Sequence, residues 1–230
     1  MDYATREFAA AAVRHWCGDS ATLEHISDSG NSVYRFTREG ERLILRLTDP
    51  NYRSKSWNLA ELDYLLQLHA HDVAVGLPVA SASGRLIEDV SADRESWMAS
   101  VFTYAPGEMV DSSSPYWNEA FFHEWGRTLA RMHRVSSTYV PDPEHRRWHW
   151  HEEDLVANAV RYIPADDTVS LREFDYLAGS LRRLPVDPRT YGLTHADLGA
   201  QNFHFSPQHG ITVFDFGNCC YHWYVSDIAI

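Results

Sequence analysis

Residues 191–218 read YGLTHADLGAQNFHFSPQHGITVFDFGN. Two short apolar runs, Asn202 to Phe205 and Ile211 to Phe214, flank the turn Ser206 to Gly210, which predicts a hairpin of two small strands. The polar residues fall just outside the strand ends. His195, Asp197 and Asn202 precede the first strand with the spacing H-x-D-x-x-x-x-N, and Asp215, Phe216 and Gly217 follow the second. Any one of these is explained by ordinary turn chemistry. Four in order, bracketing one hairpin, call for a chemical explanation.

Phosphoryl transfer supplies one. It needs a carboxylate beside the acceptor hydroxyl and oxygen ligands for Mg²⁺, which prefers carboxylates, phosphates and water. Asp197 suits the first role, and Asn202 and Asp215 the second. On the stretches THADLGAQN and ITVFDFGNCCYHWYVSDIA, the chain resembles the aminoglycoside phosphotransferase-like kinases, small-molecule kinases that share the protein-kinase fold. It departs from the family pattern at Ala196, where Gly is usual, and at Gly217, where a further acidic residue is frequent.

The resemblance implies a two-lobed α+β, protein-kinase-like fold. Residues 1–103 would form a nucleotide-binding N-lobe with an antiparallel sheet, and residues 104–230 a mostly helical C-lobe holding the catalytic hairpin. It further implies ATP and Mg²⁺ as cofactors and a small-molecule hydroxyl as acceptor, with Asp197 as the catalytic group and His195 organising its loop. A protein Ser/Thr acceptor and a nucleotide-binding module without activity are the alternatives. Because only a few helical residues follow Ser226 and Asp227, the C-lobe is expected to be truncated. In the family, Asp227's position braces the catalytic loop.

Outward from the hairpin, three strand candidates, Leu23 to Ile26, Ser32 to Phe36 and Arg42 to Leu47, are joined by SDSGN and TREGE. The first turn either covers nucleotide phosphates through Ser29, Asn31 and Ser32, or is a plain hairpin turn. Arg46 is the one charge inside the apolar run of RLILRLTD, and a charge there needs a partner or a ligand. The family places its phosphate-contacting cation at this position and an acidic partner on the next helix. Ser56 to Leu68 is that helix, and Glu61 that partner.

GLPVA, Arg85 to Glu88 and Trp97 to Phe102 would complete a five-stranded sheet, with backbone around Val101, Phe102 and Thr103 meeting the adenine. Thr5 to Trp16 reads as a packing helix that Gly18 stops, and Trp117 to Arg134 as a core helix with Phe121, Trp125, Leu129 and Met132 at helical spacing. HRRWHWHEED, His145 to Asp154, lacks a recognised zinc spacing and reads as a solvated helix entry with tryptophan anchors. Its acidic group Glu152, Glu153 and Asp154 either lines a cation-accepting cleft or is an exposed helix start. Leu171 to Leu184 is a further helix candidate.

Composition bounds the rest. The 230 residues carry a formal charge of −12, against a nucleic-acid binder, which needs a basic face. No apolar run approaches a membrane span and the first residues lack a signal-peptide layout, so a cytoplasmic setting without membrane contact is expected. The 3 cysteines, Cys17, Cys219 and Cys220, form neither a disulfide framework nor a zinc site. Lys55 is the only lysine, so cations that hold phosphate should be arginines.

Overall fold

The computed structural model describes residues 3–92 and 95–229. Helix α1 (Arg6–Val13) buries Phe8, Ala9, Ala12 and Val13, the face its spacing predicts, and tightens into a 3₁₀ turn over Arg14–Trp16. The expected stop at Gly18 is displaced by one residue. Cys17 takes the left-handed conformation at φ 55°, whereas Gly18 is needed for space, since a Cβ there would lie 2.4 Å from the Phe36 ring.

The sheet follows as β1 (Asp19–Asp28), β2 (Ser32–Arg38) and β3 (Glu41–Thr48). After helix α2 (Lys55–Ala70), it continues with β4 (Pro78–Val79), β5 (Glu88–Ala92) and β6 (Glu95–Thr103). Six strands form it rather than the five expected, in the order β1-β2-β3-β6-β4 with β5 also on β6, all antiparallel. The strand placed at Arg85 to Glu88 begins only at Glu88. There Glu88 turns its carboxylate back onto Arg85 and onto the hydroxyls of Ser81 and Ser83.

Strand alternation divides the sheet into two faces. Leu43, Leu45 and Leu47 of β3 and Tyr34 and Phe36 of β2 pack in one core with α1, Val90, Trp97 and Val101. The alternate residues Val33, Ile44, Arg46 and Phe102 therefore face the opposite side, where they line a cleft.

The second half is built on α3 (Glu119–Ser136), whose N-cap Asn118 accepts from the Phe121 N–H. Such a cap is worth about 1 kcal/mol. A 3₁₀ turn at Trp150–Glu152, short α4 (Asp154–Ala157) and α5 (Thr168–Leu181) come next. They are followed by β7 (Tyr191–Thr194), the predicted hairpin β8 (Phe203–Ser206) and β9 (Gly210–Val213), then β10 (Cys220–Trp223) and α6 (Ser226–Ala229). Pairing of β7 with β10 adds a small sheet that sequence periodicity did not reveal.

The fold is the expected two-lobed, kinase-like α+β architecture. A second core joins Leu62, Tyr64, Leu65 and Leu68 of α2 to Phe121, Met132, Phe203, Val213 and Phe216, so α2 packs onto the second half as well as the sheet. We propose the lobe boundary at the end of β6, residue 103, on the path of the chain. Among the described residues, no helix is long and apolar enough to cross a membrane.

Candidate active site

The hairpin β8–β9 sits where the halves meet. On one side Gly76 N–H donates to Val213 O at 2.8 Å and Val213 N–H to Ala74 O at 3.0 Å. On the other, Glu108 and Phe205 exchange backbone hydrogen bonds at 3.1 and 2.9 Å. Gly107 makes that approach possible, because a Cβ there would fall 2.3 Å from Phe205 O.

Two cavities open over the hairpin. One, of about 550 Å³, is lined on its apolar side by Val33, Ile44, Phe102, Ala105 and Phe214, and also by Asn202. The other, of about 140 Å³, is polar and lined by Ser29, Asn31, Arg53, Asp197 and Gly217 among others. Arg46, Glu61 and Asp215 line both. An apolar slot therefore runs into a polar one at a cation and two carboxylates.

Arg46 and Glu61 make the ion pair expected from the lone charge on β3. Nη1 donates to Oε1 at 2.6 Å and Nη2 to Oε2 at 2.9 Å, with Asn58 Oδ1 accepting from Nη2 at 3.3 Å. Burial alone would favour the neutral forms, yet mutual attraction outweighs it, holding Arg46 above and Glu61 below their ordinary pKa ranges. Nε of Arg46 is buried without a partner. A phosphate oxygen would satisfy it.

The loop that carries Asp197 is braced from behind by Asp227. Its Oδ1 accepts from Ala196 N–H at 2.8 Å, and its Oδ2 from His195 N–H at 3.1 Å and His133 Nε2 at 2.8 Å. Ala196 sits at φ 63°, a conformation that costs a Cβ-bearing residue about 1–2 kcal/mol. Holding it needs an anchor, and Asp227 provides one.

His195 is completely buried, and its Nε2 donates to Phe214 O at 3.0 Å. Burial pushes its pKa down, so the ring is neutral and serves as a strut between the loop and the end of β9. It was expected to organise the loop of Asp197 rather than to exchange protons. It lines neither cavity.

Asp197 is half-buried and opens onto the polar cavity. Asn202 donates its Nδ2 to Asp197 O at 2.6 Å, which leaves the amide oxygen as its ligand atom. Asp215 adopts φ 62° and is exposed to the cleft. Partial desolvation by the surrounding protein raises its pKa against the pull of Arg46. A carboxylate so placed, with an amide oxygen nearby, is an oxygen donor set that suits a hard divalent cation.

The turn before β2 meets expectation in part. Asn31 lines the polar cavity and accepts from Thr48 Oγ1 at 2.7 Å, and Ser29 lines it as well. Ser32 does not. It is wholly buried, its hydroxyl accepting from Ala4 N–H at 2.9 Å, because the N-terminal segment crosses behind the turn.

Arg147 was missed. Within the stretch read as a solvated helix entry, Trp148 and Trp150 are buried anchors as expected, but so is Arg147. Its Nε donates to Cys219 O at 2.7 Å, Nη2 to Gly217 O at 2.6 Å and Nη1 to Trp57 O at 3.0 Å, clamping the segment after Asp215 to α2. Only the buried tryptophans that follow it, Trp148 and Trp150, could have hinted that this arginine turns inward. No group of three or more His, Cys, Asp or Glu side chains poised for a metal occurs among the described residues, so the histidines of this stretch form no such centre.

Comparison with known proteins agrees with this geometry. The chain is 35% identical over 211 residues to amicoumacin kinase of Bacillus subtilis (strain 168), covering 90% of this chain and 61% of that protein. It thus spans about three-fifths of the relative's length. Among solved structures, amicoumacin kinase hAmiN in complex with AMP-PNP, Ca²⁺ and Ami superposes with a TM-score of 0.92 at 34% identity, covering 99% of this chain and 68% of that one. A microcompartment-associated aminopropanol kinase does so with a TM-score of 0.80 at 26% identity, covering 97% and 73%. The model of the phosphotransferase enzyme family matches residues 22–230, from β1 through the β8–β9 hairpin to α6, and the chain belongs to that family.

Proposed function

We propose that the protein transfers the terminal phosphoryl group of Mg²⁺-bound ATP to a hydroxyl of a small molecule. The observation that carries this is the junction of an apolar and a polar cavity at Arg46, Glu61 and Asp215. A nucleotide has the same division, with a flat base followed by charged phosphates. The base would lie between Ile44, Phe102 and Phe214, and the phosphates would reach Arg46, whose unpartnered Nε points to such a ligand.

Asp215 and Asn202 would hold the divalent cation, which when bound neutralises charge on the phosphate oxygens. Asp197 orients the acceptor hydroxyl and takes its proton. Glu61 positions Arg46, and Asn31 and Ser29 lie along the phosphates. The lobes 1–103 and 104–230 would then contribute the nucleotide grip and the transfer chemistry respectively.

The relatives' names are those of small-molecule kinases, which favours a small acceptor over a protein Ser or Thr. An amino alcohol fits both the aminopropanol kinase likeness and the charge of −12, which attracts cations. We place the reaction in the cytoplasm, where ATP is supplied.

The test pairs binding with turnover. ATP should bind by calorimetry in a Mg²⁺-dependent manner, and γ-labelled ATP should label members of a panel of amino alcohols and aminoglycosides. Asp197→Asn should lower turnover about 10²- to 10⁴-fold, as loss of a positioned base does, while ATP binding stays within about twofold. A folded Asp197→Asn protein with full turnover would remove this loop from the chemistry.

A further inference from the structure

We propose that Arg53, in the loop between β3 and α2, grips the terminal phosphate of a nucleoside triphosphate. The proposal rests on the nucleotide reading above and adds a residue that the sequence did not single out.

Three guanidinium groups line the polar cavity. Arg46 commits both terminal nitrogens to Glu61 and Asn58, and Arg147 commits all three of its nitrogens to backbone carbonyls. Arg53 is different. Among the described residues it joins no ion pair, and its polar contacts are neutral ones from Nη2 alone, to Tyr52 OH at 3.4 Å and Asn218 Oδ1 at 3.2 Å. Its Nε and Nη1 have no protein partner there. The lone lysine cannot take its place, since Lys55 Nζ is paired with Asp89 at 2.6 Å.

The group is also held in place. Its guanidinium lies 4.3 Å from the Trp148 ring centroid and 4.6 Å from that of Tyr52. Stacking fixes the plane of the donor fork, and a planar fork matches two oxygens of one phosphate. Tyr52 packs directly under Gly30, where a Cβ would meet its ring at 3.1 Å, so Tyr52 and Arg53 floor the turn that covers the phosphates. Asp197 and Asp215 border the same cavity. A cation there, with free donors, meets the phosphate that lies farthest from the base. Charge on the transferring group spreads over its outer oxygens, where such a donor acts.

The experiment is a titration of the chain with ADP and with ATP, each with Mg²⁺, for wild type, Arg53→Gln, Arg53→Lys and Asn218→Ala. Arg53→Gln should lower ATP affinity about tenfold, the scale of one charged hydrogen bond, and change ADP affinity less than about twofold. Arg53→Lys should fall between wild type and Arg53→Gln. Asn218→Ala, which removes only the contact to Asn218, should keep the wild-type ratio of ADP to ATP affinity. An unchanged ratio in Arg53→Gln, an equal loss of both nucleotides, or the same ratio change in Asn218→Ala would overturn the assignment. Should Arg53→Gln fail to fold, a wild-type ratio in folded Arg53→Lys overturns it, and a reduced one supports it. Failure of wild type to bind ADP or ATP at all would instead overturn the nucleotide reading itself.

Discussion

Glu61 meets Arg46 with both carboxylate oxygens, and a second guanidinium, that of Arg147, stands 3.9 Å from the same carboxylate. One anion thus serves two buried cations. Removing it should cost about 3–5 kcal/mol, because both would be left uncompensated. Glu61→Gln, Arg46→Met and the double variant, compared by urea unfolding, should show a coupling of about 1–3 kcal/mol, whereas additive effects would deny the contact. Reversing both charges should recover little, since an arginine at 61 would then face Arg147.

Asp227 anchors a strained loop, and the two halves of that statement can be tested apart. Asp227→Ala leaves two backbone N–H groups and His133 without their acceptor, and should cost about 2–3 kcal/mol with faster amide exchange at His195 and Ala196. Ala196→Gly should offset part of that loss by relieving the left-handed conformation. If Ala196→Gly deepened the loss, the strain argument would fail.

For Asp215, desolvation raises the folded-state pKa above the ordinary 3.8 despite Arg46. The folded protein then binds this proton more tightly than the unfolded chain, so the group's own contribution to stability is fully present below 3.8 and is lost as pH rises through the folded value. At neutral pH and without divalent cations, Asp215→Asn should therefore raise the melting temperature. It should also abolish the extra stabilisation that Mg²⁺ with ATP gives the wild type. A lower melting temperature in metal-free buffer would show that the ionised carboxylate is not a burden on the fold.

Arg147 is a positioning residue, and its signature should be selective. Arg147→Lys keeps a charge but cannot reach three carbonyls in one plane. It should weaken Mg²⁺-dependent ATP binding more than binding of AMP, which reaches neither Asp215 nor its loop. Equal weakening of both would point to general loss of structure.

The hairpin and the placement of its polar residues were legible because the motif is contiguous: Asp197, Asn202 and Asp215 are placed by their own loop and two four-residue strands. Arg46 was legible for another reason, as a charge on an apolar strand demands a partner or a ligand, and Glu61 as the acidic partner that the resemblance implies on the next helix. Ser32, Arg147 and Arg53 escaped because distant chain segments decide their surroundings. Ser32 is turned inward by Ala4, Arg147 by the carbonyls of residues 57, 217 and 219, and Arg53 by Trp148. The β7–β10 pair escaped because YGLT and CYHW show no alternation that marks a strand.

Helix α2 is fastened to the second half at four points. Tyr64 OH and Ser136 Oγ lie 2.6 Å apart, Tyr139 OH donates to Asp63 at 2.6 Å, Ser56 Oγ to Glu144 O at 3.0 Å, and Arg147 to Trp57 O at 3.0 Å. Glu61 rides on that helix, while Arg46 rides on the sheet. Swinging α2 away, and so parting Glu61 from Arg46, would break all four ties together. Under the proposed function, these ties would keep Glu61 on Arg46 whether or not the cleft is filled.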